Sequence, residues 1–160
     1  LLFTRPISDF GILIAKYLAS VTLLLIAIIP TVTYYISMYF LGKPIGIIDG
    51  GATLTSYIGL ILLGSVFVAI GIFASTITSS QIIAFIVAMS LCWFLFDGLN
   101  ILGDFGQFGD FDFFIKNLSL SYHYESIQKG VINSNDLVFF VSSTFLFLFI
   151  ALTVIKTLKR

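Results

Sequence analysis

No charged residue occurs between Lys16 and Lys43, between Asp49 and Asp97, or between Asp136 and Lys156. Runs this long and apolar have few places to go, because a spanning helix needs about 20 mainly apolar residues. Four spans are expected, at about 17–41, 54–76, 81–102 and 136–155. Composition agrees: 59% of the residues are hydrophobic and 10% are charged, whereas a soluble domain carries about 25% charged residues. The expected fold is all-α: one polytopic membrane domain with four transmembrane helices.

The spans carry local signals. Pro30 removes a backbone donor from the first and should kink it, with Thr31 and Thr33 near enough to satisfy freed carbonyls. The second has glycines at 59, 64 and 71, and the pairs Ser65/Ala69 and Gly71/Ser75 at four-residue spacing. Small residues on one face let helix backbones approach in lipid, so Gly64, Gly71 and Ser75 are expected to pack against another helix. The link "TITSSQ" is short, so the third span turns straight back and the serines cap it. The segment 103–135 is too polar to span and should form an external loop carrying a short interfacial helix.

Positive residues set the orientation. With the C-terminus in the cytoplasm, Arg5, Lys16, Lys156, Lys159 and Arg160 lie inside, and Lys43, Lys116 and Lys129 lie outside. Segment 103–135 is then external.

Several chemistries can be weighed. Basic and acidic residues both number eight, with no basic run, which argues against nucleic acid as a partner. His123 and Glu125 could be a proton-transfer pair or half a metal site, but positions i and i+2 of a helix point to different sides. No second histidine stands at the spacing a zinc helix needs. "SYHYESIQKG" reads instead as an amphipathic helix with Tyr122 and Tyr124 at headgroup level and Gly130 as its C-cap. Asp104, Asp110 and Asp112, in 97–114, lack the spacing of a calcium loop and read as a loop at the interface. "LGKPIG" lacks the pattern that cradles phosphates and reads as a helix exit. No metal or catalytic group is assigned. Because no ionisable side chain lies deep within a span, any transport would draw its energy from outside this chain.

The opening "LLFTRPIS" resembles the cytoplasmic segment of ABC-2 type transporter permeases that runs Glu-x-Leu-Leu-x-x-Pro, matching at Leu1, Leu2, Thr4, Arg5, Pro6, Ile7 and Ser8. Lys16 stands where that family places a lysine at membrane entry, with Ala15 in place of the favoured glycine. "YHYESIQKGVI" is similar to the family's last external helix, at His123, Tyr124, Glu125, Ser126 and Gly130; Asn135 stands where relatives often carry a basic residue before Asp136. Within the family the likeness is to the gliding-motility-associated permeases of Bacteroidetes, and it covers essentially the whole chain.

The resemblance implies the last four of six spans, in the C-terminal part of a longer permease subunit of the inner (cytoplasmic) membrane. It implies a separate cytoplasmic ATP-binding cassette subunit, which would bind ATP and Mg, and a second permease subunit, identical or different. This chain itself would hold no cofactor, and lipid would surround it. Thr4, Arg5, Pro6 and Ser8 are the residues implied at the ATPase docking surface. His123 is given a structural place and no catalysis. The alternatives are a non-transporting scaffold and, less favoured, an intramembrane enzyme.

Overall fold

The computed structural model describes residues 8–42, 49–104 and 110–158, except for the side chains of 110 and 111. Among the described residues the chain is helical, without strands. Four helices are long and apolar enough to cross a membrane: Asp9–Leu41, Gly50–Ile77, Gln81–Asp104 and Ser134–Leu158.

The first crossing is α1 (Asp9–Ile28), a 3-10 turn (Ile29–Thr31) and α2 (Val32–Leu41). It starts eight residues before the expected span. Hydropathy sees only the apolar run, whereas the helix start is set by Ser8, whose hydroxyl accepts the Gly11 N–H at 3.2 Å, with Asp9 in the first turn. Pro30 interrupts the crossing as expected. Past it, the Val32 N–H turns to the Ile29 carbonyl. The Thr31 hydroxyl donates to the Ile28 carbonyl and that of Thr33 to the Pro30 carbonyl, each at 2.6 Å.

The second crossing, α3 (Gly50–Ile77), is the hub. It packs against α1, α4 (Gln81–Trp93), α7 (Leu120–Gln128) and α8 (Ser134–Leu158). Leu63, Val66 and Ile70 of α3 form one core with Leu120 and Ile127 of α7 and Phe140 of α8. Ile72 forms a second with Leu13 of α1 and Ala151 of α8. Gly64 is where α1 comes close: a Cβ there would lie 2.7 Å from a Leu24 methyl. The other two residues expected to pack are placed differently. A Cβ at Gly71 would meet nothing within 4 Å, and Ser75 is exposed, its hydroxyl on the Ile72 carbonyl at 2.7 Å. The buried stripe of α3 runs through Gly59, Leu63, Val66, Ile70 and Ala74, and Gly71 and Ser75 lie off it.

The third crossing runs through α4, a π-helical turn (Phe94–Gly98) and α5 (Leu99–Asp104). Ser80 stands at the α4 N-cap position but its side chain makes no cap bond; its N–H donates to the Thr78 hydroxyl at 3.2 Å. Within the wide turn the Phe96 carbonyl accepts the Ser119 hydroxyl at 2.7 Å.

After α6 (Asp110–Asn117) and α7 the chain enters α8. The acidic stretch 97–114, expected to be a loop, is thus helical on both sides of 105–109, which lie outside the described residues. Lys116 of α6 pairs with Asp104 of α5 at 2.6 Å. The described residues of 103–135 hold two short helices, α6 and α7, where one was expected.

Candidate functional site

A polar cluster that joins three helices lies where α7 meets the start of α8. Leu120 and Ile127 are 2% and 0% exposed, so one face of α7 is anchored in the core. Gly59 of α3 makes room: a Cβ there would lie 2.7 Å from Ile127 and 3.3 Å from the Tyr124 ring. Tyr124 accordingly packs inward, half-buried, its ring 6.3 Å from that of Phe96, while Tyr122 is exposed. The expected pair of headgroup-level tyrosines is therefore reduced to Tyr122, because positions i and i+2 of a helix point to different sides.

Gly130 ends α7 as expected. Its φ is +89°, its N–H bonds the Ile127 carbonyl at 3.0 Å, and the Val131 N–H bonds the Ser126 carbonyl at 3.1 Å. These two bonds are a Schellman motif, which needs a left-handed residue at this position. The turn redirects the chain so that Asp136, in the first turn of α8, faces back onto α7.

Asp136 is 6% exposed and takes two partners. His123 Nδ1 lies 2.7 Å from its Oδ1, and the Ser126 hydroxyl donates to Oδ2. His123 Nε2 lies 2.9 Å from the Asn117 carbonyl. A carbonyl can only accept, so Nε2 donates to Asn117, and the ring is held between that carbonyl and the Asp136 carboxyl group. The ring stacks on Phe139 of α8 with centroids 4.0 Å apart. Both polar contacts of the imidazole ring thus tie α7 to α6 or α8. Glu125 faces away and pairs with Lys129 at 2.6 Å, largely exposed.

Ser, His and Asp meet here, but not in the order a nucleophile requires. A serine nucleophile gives its proton to the imidazole, which the carboxylate orients. Here the Ser126 hydroxyl is directed at Asp136 Oδ2 and at the His123 carbonyl, and both ring nitrogens are engaged elsewhere. The geometry is that of a clamp. A polar cavity of about 530 Å³ lies beside it, with Asn117, Tyr122, Lys129 and Asn135 among its lining.

Of the external-helix residues His123, Glu125, Ser126 and Gly130, the structure brings His123 and Ser126 together on Asp136, gives Gly130 the turn, and leaves Glu125 outside. Asp136 itself was not among the expected site residues. Its signal in the sequence is that it is the last acid before the uncharged run of the fourth span. Thr4, Arg5 and Pro6 lie outside the described residues, and Ser8 caps α1. No family model, curated protein or solved structure matches this chain.

Proposed function

We propose that the chain is a membrane-spanning permease subunit of an ABC transporter, driven by a separate ATPase and serving export or gliding motility. One observation carries this reading: four crossings without an ionisable side chain at depth, preceded by a segment that resembles a cytoplasmic docking motif. A chain of this kind has no means of coupling to ions within the membrane, so its energy enters from a partner. Ser8 caps α1 directly, α1 meets α3 at Gly64, and α3 touches α4, α7 and α8. A displacement of the opening segment would therefore reach the central helix through packed side chains. The partner drives the change by binding its two states differently.

The test is a photo-reactive residue at Arg5, which spares the Ser8 cap, in native membranes. Capture of an ATP-binding cassette ATPase from Arg5 and none from Lys129 is the expected result. Absence of that capture from well-folded protein would instead favour a non-transporting scaffold.

A further inference from the structure

A second cavity, of about 520 Å³, lies between the Pro30 bend and the start of α3, with Tyr124 of α7 as a third wall. Its lining is mostly carbon, from Ala52, Leu60 and the two tyrosine rings, with oxygens from Thr31, Asp49, Thr53, Ser56 and Tyr57. The hydrogen bonds of those oxygens decide what the cavity can recognise. A hydroxyl has one proton to give. Thr53 gives its proton to the Asp49 carbonyl at 2.9 Å, and Ser56 has the Ala52 carbonyl at 2.8 Å. Thr31 donates to the Ile28 carbonyl at 2.6 Å and lies 3.1 Å from the Tyr57 hydroxyl. Thr31, Thr53 and Ser56 have thus given their protons to backbone carbonyls and keep lone pairs for a ligand. Asp49 adds a carboxylate whose Oδ1 accepts the Gly51 N–H at 2.8 Å, with acceptor capacity to spare.

We propose that this groove binds the ammonium head of an amphiphile. Three hydroxyl acceptors beside one carboxylate suit a cation rich in N–H donors. The carbon walls take the adjoining chain. An aminolipid headgroup and a soluble alkylamine share this chemistry. The site is read from its lining and does not depend on the permease reading.

The experiment uses the chain in phosphatidylcholine nanodiscs with two photo-reactive probes of equal chain length, a primary alkylamine and the matching alcohol. The amine should label the Ala52–Leu60 stretch about tenfold more strongly than the alcohol, the discrimination one charge-assisted hydrogen bond supplies. Asp49→Asn should bring the amine down to the alcohol, and because asparagine caps a helix as well as aspartate does, α3 should stay intact. Tyr57→Phe, which keeps the ring, should weaken the amine less than Asp49→Asn. Suppression by phosphatidylethanolamine added to the disc would identify a lipid ligand, and suppression by spermidine a soluble amine. Equal labelling by the two probes, or amine labelling unchanged in Asp49→Asn, would overturn the proposal.

Discussion

At the residue scale, His123 and Glu125 show how far neighbours in sequence can differ in their roles. His123 joins a buried pair with Asp136, whereas Glu125 forms an exposed pair with Lys129. Removing one member of the buried pair takes a hydrogen-bond partner from a buried polar group, at a cost of about 1–3 kcal/mol. Removing one member of an exposed pair costs about 0–1 kcal/mol. His123→Ala should therefore lower stability in detergent by several times as much as Lys129→Ala, measured by denaturant titration. His123→Ala combined with Asp136→Ala should be milder than the sum, since no carboxyl group is then left short of a partner. Gly130 makes a second prediction. A Cβ there would sit 3.4 Å from Ala52, an ordinary contact, so the cost of Gly130→Ala comes from its φ of +89°. That cost should be about 1–2 kcal/mol. It should be read as loosening of α7, followed by hydrogen exchange at Ile127 and Val131.

At the element scale, the glycines of α3 look alike in sequence and differ in consequence. Gly64 holds α1 close, and a Cβ there would crowd the end of the flexible Leu24 side chain. Gly64→Ala can be absorbed by a new Leu24 rotamer, whereas Gly64→Leu should force α1 from α3 at a cost of about 1–3 kcal/mol. Gly71→Ala, into open space, should be neutral or gain up to about 1 kcal/mol of helix propensity. The same unfolding titration on both variants checks this, and a costly Gly71→Ala would mean that another subunit packs there. Sequence spacing could not separate the two, since small residues four apart mark a possible face without saying which face is used. The start of α1 was hidden for a related reason. The uncharged run begins at Tyr17, after Lys16, but the helix begins at Asp9, capped by Ser8, eight residues earlier.

At the scale of the whole molecule, four crossings put both ends of the described chain on one side and α6–α7 on the other. With positive residues retained inside, a membrane-impermeant maleimide applied to spheroplasts should label Lys129→Cys and not Lys156→Cys, in a Cys92→Ser background. Labelling of both in intact cells, or the reverse pattern, would contradict the orientation.

The four crossings, their approximate limits, the bend at Pro30 and the turn at Gly130 could be read from the residues, because each follows from chemistry local to a few positions: apolar length, a missing N–H, freedom at positive φ. The arrangement of the crossings could not. In lipid, a helix is apolar toward its neighbours and apolar toward the bilayer, so no hydrophobic periodicity marks the packing face. Packing alone made α3 the hub, chose Gly64 over Gly71, and turned Tyr124 inward. The polar clamp was hidden for a different reason. His123 and Asp136 are separated by the α7 terminus and a left-handed turn, and nothing in their spacing pairs them. They meet only because Ile127 seats α7 against Gly59, which aims the following turn so that a buried carboxylate and an imidazole satisfy each other.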